Sequence, residues 1–135
     1  MMERLGLAVV MVASLGCGEE VVEGIPENPT LVDVHQLVLQ PACAQGGCHD
    51  VSGAGELVLT SVAASRAGLV NAESVNETAA ASSILRVVPG EPDASFLMRK
   101  LTGPTLGEGL PMPIDDALTQ PYVDMIERWI EQGAN

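Results

Sequence analysis

The chain has 135 residues, of which eighteen are acidic, six are basic and three are aromatic, and its net charge is −12. A chain of this length forms one domain. The acidic excess argues against binding of nucleic acid or electrostatic attachment to anionic lipid, since both need clustered Lys and Arg. Because so few aromatic side chains supply little core volume, the composition favours a fold built around a non-protein group.

The first sixteen residues have the pattern of a secretion signal. A short basic region ending at Arg4 is followed by eleven uncharged residues, 5–15, and then by Gly16-Cys17-Gly18, as in a cleavable signal peptide. The apolar run is shorter than the roughly 20 residues of a transmembrane helix. We therefore predict that residues 1–16 are a signal peptide and that the protein is exported.

Residues 14–17, Ser-Leu-Gly-Cys, resemble the lipobox of bacterial lipoproteins, in which the Cys is acylated. The resemblance implies lipidation of Cys17 and an anchor in a bacterial membrane. Gly18 stands where lipoproteins retained at the inner membrane often have Asp, which indicates the outer membrane. Residues 17–29 contain four Glu and two Pro and predict an acidic linker. The domain, residues 30–135, is then expected on the periplasmic or cell-surface side.

The first predicted helix of the domain begins after Thr30, a favourable capping residue. Leu31, Val34, Leu37 and Val38 share one face of this helix, which should end near Pro41. Residues 51–92 give a weaker signal. Within them, residues 56–60 predict a brief extended segment and residues 62–69 a short helix.

Three further elements are predicted after residue 88. Residues 89–92, Pro-Gly-Glu-Pro, indicate a turn, and Asp93 is expected to cap a helix that continues through Lys100. Residues 103–113 hold three Gly and three Pro and predict a loop. The last helix should begin at the cap Thr119 and end at Gly133, with an Asp124–Arg128 pair on its surface. Its apolar stripe comprises Val123, Ile126, Trp129 and Ile130.

The residues with the clearest chemistry are 43–49, Cys-Ala-Gln-Gly-Gly-Cys-His. In covalent haem attachment, two thiols bond to vinyl groups and the His after the second Cys binds iron, usually with the spacing C-x-x-C-H. Here the spacing is C-x4-C-H, and Gly46-Gly47 provide backbone freedom for the longer loop. The same two thiols are also consistent with a disulfide, which is common in exported domains. The motif by itself leaves both interpretations open.

Two other uses of this motif are less favourable. Zinc would have three ligands in Cys43, Cys48 and His49, whereas structural zinc takes four. A Cys–His nucleophile is disfavoured because sequence neighbours rarely face each other, and a second thiol nearby would trap the first in an oxidising compartment. We therefore assign no catalytic residue.

A haem iron bound by His49 needs a second axial ligand or an open site. The predicted mature chain offers the thioethers of Met98, Met112 and Met125. Met98 and Met125 lie in predicted helices, where Met usually fills the core. Met112 is preferred because Pro111 and Pro113 would hold its backbone rigidly. His35 ranks lower, as a residue expected at a helix cap or surface.

A haem packed among Leu, Val, Ile and Trp129 would replace the missing aromatic volume. Its propionates need hydrogen-bond donors, and the cations nearest the apolar segments are Arg86, Arg99 and Lys100. The alternative is that all three cations are solvated.

Five sequence segments occur in an order familiar from small monohaem cytochromes c. They are residues 37–41 before Cys43, Cys48-His49 with 56–59, residues 88–92 with 95–97, residues 110–113, and residues 126–130 with 133–134. Over about residues 30 to 134 the chain resembles the exported cytochrome-c-like lipoproteins of myxobacteria and planctomycetes that carry the C-x4-C-H variant.

This resemblance implies an all-α, small cytochrome c-like fold with short irregular or extended connections and with its first and last helices crossing beside the haem. It implies one haem c bound covalently by Cys43 and Cys48, with iron ligands His49 and Met112. The expected function is electron transfer without bond chemistry.

The acidic surface is expected to steer a redox partner with a basic docking surface. The main alternative is a haem-free lipoprotein binding module of the same ancestry with a Cys43–Cys48 disulfide. A third possibility is a haem sensor or peroxidase-like enzyme with an open distal site, which the position of Met112 disfavours.

Overall fold

The computed structural model describes residues 24–135, which form an all-α body with about 46% of residues in helices and no strand. The predicted signal peptide, the lipidation residue Cys17 and linker residues 18–23 lie outside the described residues. The α-helices are α1 (Leu31–Val34), α2 (Val62–Leu69), α3 (Glu77–Ala81), α4 (Phe96–Thr102) and α5 (Gln120–Glu131). A π-helix (His35–Cys43) continues α1, and 3₁₀ turns occupy Ala54–Glu56 and Pro92–Ala94. Within residues 24–135, no helix is long and apolar enough to cross a membrane.

The first helix begins as predicted but ends later. Thr30 caps it through a capping box, in which the Asp33 amide and carboxylate both bond to Thr30. The helix ends two residues beyond the predicted point near Pro41, because it continues past this proline to Cys43 as a π-helix. In this wider turn the Ala44 amide bonds to the Leu39 carbonyl. Because Pro41 has no amide hydrogen to donate, the π-helical geometry lets the helix continue past it to the first cysteine of the motif.

The middle of the chain combines one predicted helix with one that was not predicted. Helix α2 has the expected bounds and is capped by the Ser61 side chain. Helix α3 is short, capped by Asn76, and rich in Ala, so it lacks the apolar periodicity that would reveal it. Of the predicted extended segment 56–60, Leu57 has extended angles, but Glu56 belongs to a 3₁₀ turn.

Helix α4 starts later than predicted. Asp93 lies inside the 3₁₀ turn, and Ser95 takes the capping position. The Ser95 hydroxyl is buried and instead bonds to the backbone of Val88 and Glu91, which fixes the predicted turn at residues 89–92. Residues 103–113 form the predicted loop.

Helix α5 is the predicted amphipathic helix. All four stripe residues are buried, and the helix ends with Gly133 at a φ of +96° and bonds from Gly133 to Ile130 and from Ala134 to Trp129. The predicted Asp124–Arg128 pair is wrong, since Asp124 accepts a bond from Gln120 instead. Within residues 24–135 the ion pair that forms is Arg99–Glu108.

The core joins the first and last described helices. Helix α1 packs against α5, and the main-chain oxygen of Asn135 accepts bonds from the Leu31 amide and the Trp129 indole. Met98 and Met125 are buried here, as predicted for core methionines. Near the start of the described chain, Ile25 packs against this core and Pro29 is buried, so this end of the predicted linker lies against the folded body.

Candidate functional site

The loop between the two cysteines is ordered by its own hydrogen bonds. The Cys48 amide bonds to the Gln45 carbonyl at 2.9 Å, and the His49 amide bonds to the Cys43 carbonyl at 3.1 Å. The Asp50 carboxylate then accepts bonds from Ser52 and from the Gly47 amide, which lower the pKa of Asp50. The longer cysteine spacing is therefore closed as a compact turn that ends at His49.

One of the two loop glycines is needed for its backbone conformation. Gly47 has a φ of +83°, whereas Gly46 lies outside the left-handed region, and an added Cβ would contact nothing within 4 Å at either position. We expect Gly47→Ala to lower the free energy of unfolding by about 1 kcal/mol, while Gly46→Ala leaves it unchanged or slightly raised. Urea denaturation of both variants tests this, and equal effects would contradict the assignment.

His49 is held in one orientation by the backbone of a neighbouring segment. Its Nδ1 lies 3.2 Å from the carbonyl oxygen of Leu57, and its own carbonyl accepts a 2.8 Å bond from the Leu59 amide. Because a carbonyl only accepts, Nδ1 is the donor in this contact, and Nε2 is the ring nitrogen that remains for another partner. The imidazole is thus half-buried, oriented and able to bind a metal.

An apolar cavity lies beside this imidazole. Its volume is about 430 Å³, within the range of small-molecule and cofactor sites. It brings together three of the predicted site residues, Cys43, His49 and Met112. The apolar remainder of its lining comprises Leu39, Leu57, Leu59, Leu69, Val75, Phe96, Leu97, Leu101, Leu110 and Ile114.

The two cysteines have different environments. Cys43 lines the cavity, whereas Cys48 is exposed and does not line it. Both are free thiols. Burial, with a smaller contribution from the charge of neighbouring Cys48, raises the pKa of the Cys43 thiol to about 11. One of the two predicted attachment residues therefore lies outside the cavity lining.

Met112 reaches the cavity from the loop of residues 103–113. Its amide bonds to the Lys100 carbonyl at 2.7 Å, at the end of α4. The Lys100 ammonium in turn donates to the carbonyls of Glu108 and Leu110. The loop is thereby fastened to the helix that forms one wall of the cavity.

The predicted cations divide into two groups. Arg86 and Lys100 line the cavity, and burial lowers the pKa of each. Arg99 does not line it and pairs with Glu108. All three are partly exposed, and each also bonds to protein groups. Arg86 donates to the carbonyls of Gly68 and Gly55 at 3.0 and 2.9 Å.

His35 and Trp129 lie away from the cavity. His35 is 5% exposed, with its Nδ1 3.2 Å from the Ser65 hydroxyl. The expectation of a surface position is therefore wrong, whereas His35 does stand at the C-cap position of α1, where the π-helix continues. Trp129 packs in the α1–α5 core and does not line the cavity, contrary to its expected place beside a haem.

Sequence reasoning missed residues whose role depends on distant contacts. Glu108 is a charged residue in a loop but is only 2% exposed, and Asn76 lines the cavity while donating to the Gly107 carbonyl at 3.1 Å. Asn76 could have been found as a favourable helix-capping residue before the Ala-rich segment. No local pattern indicates that Glu108 is buried.

Within the described part of the chain, no three His, Cys, Asp or Glu side chains come together as a metal site. Comparisons with known proteins found no matching family model, no matching curated protein and no matching solved structure.

Proposed function

We propose that this protein is a c-type cytochrome that transfers single electrons through one covalent haem. The observation that carries the proposal is the apolar cavity, whose lining includes Cys43, His49 and Met112. A thiol, an imidazole and a thioether are the groups that attach a haem and ligate its iron in cytochromes c.

The donor set fits a haem in three respects. His49 has its Nδ1 bonded to a carbonyl, so that Nε2 is available for iron. Cys43 and Cys48 are both free thiols, one at the cavity and one exposed to attachment machinery. The cavity wall is predominantly apolar, as a porphyrin surface requires, and Arg86 and Lys100 border it as cations for the propionates.

The chain's own residues would adjust the redox couple that a bound haem supplies. The Leu57 carbonyl would hold the His49 ring in one orientation, with Nε2 available as a ligand for iron. A thioether from Met112 raises the reduction potential relative to a second imidazole. The packing of α1 against α5 is consistent with a cytochrome c-like fold, which is part of this proposal.

Partner and location belong to the same proposal. Ile114 lines the cavity and is 60% exposed, and the exposed acids Asp115 and Asp116 follow it. An apolar edge flanked by negative charge suits a redox partner with a basic docking surface, and the attraction should weaken as salt rises. Export and a lipid anchor at Cys17 would place this surface outside the cytoplasm.

The proposal is tested by expressing the full chain with cytochrome c maturation machinery able to process the C-x4-C-H spacing. We expect a reduced-minus-oxidised visible spectrum with sharp bands, and an intact mass increased by one haem. The double variant Cys43→Ser/Cys48→Ser should lose both signals. A c-type cytochrome known to mature with this system, expressed in the same cells, is the control that haem attachment is working.

The alternatives predict different results. A chain without haem, whose mass is two hydrogens below that of the fully reduced form, would indicate a Cys43–Cys48 disulfide and a haem-free binding module. Haem that binds carbon monoxide or cyanide readily and reacts with peroxide would indicate an open distal site.

A further inference from the structure

Glu108 is buried in a loop whose other residues are mostly exposed. The preceding Leu106 is fully exposed and Leu110 is 63% exposed, whereas Glu108 is 2% exposed. Hydrophobic burial of these side chains therefore does not hold the loop against the body. A carboxylate takes the central buried position, which is unfavourable unless its oxygens are satisfied.

Both carboxylate oxygens of Glu108 have partners. Oε2 accepts a 2.7 Å bond from the Thr105 amide, and Oε1 accepts a 3.0 Å bond from the Arg99 guanidinium of α4. The first bond closes the loop on itself, and the second fastens it to the helix. The charged partner makes this pair stronger than a neutral hydrogen bond.

The backbone carbonyls of Gly107 and Glu108 also accept hydrogen bonds from two different parts of the protein. The Lys100 ammonium donates to the Glu108 carbonyl at 2.9 Å, and the Asn76 amide group donates to the Gly107 carbonyl. An added Cβ at Gly107 would lie 2.4 Å from the Thr78 hydroxyl, so the loop also packs closely against α3. Glu108 is the side chain at the centre of these contacts, four residues before Met112.

We propose that Glu108 is a positioning residue, which holds the loop so that Met112 presents its thioether to the cavity. This inference rests on the proposed function for the identity of the iron ligand. The placement of Met112 itself, through its amide bond to Lys100, is independent of the haem.

The first test therefore uses the full chain without haem. Glu108→Gln keeps the size of the side chain and removes its charge, and we expect hydrogen exchange at the Thr105 and Met112 amides to become at least about tenfold faster. Exchange in α5 should not change. Glu91→Gln, at an exposed Glu in another loop, is the matched control. Unchanged exchange at Met112 would overturn the proposal.

The second test uses the haem-loaded full chain. Glu108→Gln should bind added imidazole at the ferric iron at least about tenfold more tightly, because Met112 competes less well for the iron. The decisive comparison is in a Met112→Ala background, where Glu108→Gln should have no further effect. An equal effect in both backgrounds would show a general structural role and would overturn the proposal.

Arg99→Gln provides a second route if Glu108→Gln fails to fold, because the Arg99 side chain is partly exposed. It should change Met112 exchange and imidazole binding in the same directions. If the wild-type chain carries no haem, the proposed function fails while the exchange experiment still decides the positioning role.

Discussion

Replacing His49 by alanine is expected to abolish the low-spin haem spectrum of the full chain, because no other imidazole lines the described cavity. The loss should be essentially complete, since the proximal ligand is removed rather than weakened. The measurement is the visible spectrum of oxidised and reduced protein, with intact mass to count covalent haem. Retention of the wild-type spectrum would exclude His49 as the ligand.

His35→Gln is the matched control for this prediction. His35 also has an Nδ1 contact of 3.2 Å, but to the Ser65 hydroxyl and away from the cavity. We expect this variant to lower the free energy of unfolding by about 1 kcal/mol and to keep the haem spectrum. A spectrum changed by His35→Gln and not by His49→Ala would reverse the assignment of the ligand.

Replacing Met112 by alanine should have the second largest effect. Covalent haem should remain, because both thiols and His49 are intact, but the iron should become high-spin and bind imidazole about 100-fold more tightly than in the wild type. The physical reason is that the intramolecular thioether no longer competes for the iron. Electronic absorption and an imidazole titration measure both effects, and an unchanged low-spin spectrum would remove Met112 from the ligand set.

Two leucine variants separate ligation from packing. Met112→Leu removes the thioether but nearly keeps the volume, and it should lose the low-spin spectrum as Met112→Ala does. Met98→Leu makes the same change in a side chain that is 7% exposed in the core. It should cost less than about 1.5 kcal/mol of stability and leave the spectrum unchanged.

Local rules explain which parts of the fold were predictable. Thr30 caps the helix expected of it, α2 has the predicted bounds, and the apolar stripe of α5 is buried. Capping and amphipathic spacing act within one or two turns, so the sequence contains the whole signal. Asp93 was misassigned because a 3₁₀ turn occupies residues 92–94 and moves the capping position to Ser95. Asp124 was misassigned because a second local partner four residues before it, Gln120, donates to its carboxylate.

The candidate site divides in the same way. The C-x4-C-H motif and the loop methionine between two prolines single out Cys43, Cys48, His49 and Met112, and the structure brings three of these four to one cavity. The exposed position of Cys48 was not predictable, because it depends on the hydrogen-bonded turn formed by residues 43–49. The order of residues does not show the path of that turn. The lipidation of Cys17 remains a prediction from sequence.

Residue types available for chemistry, and the helices that carry short-range signals, can be read from the amino-acid order alone. Three-dimensional packing, in contrast, sets the contact of His35 with Ser65, the place of His49 at the cavity, and the burial of Glu108 against Arg99. The physical reason is that burial and partner choice depend on groups brought together from distant parts of the chain. A periodic pattern can show that a helix has an apolar face, but packing selects which side chains meet there.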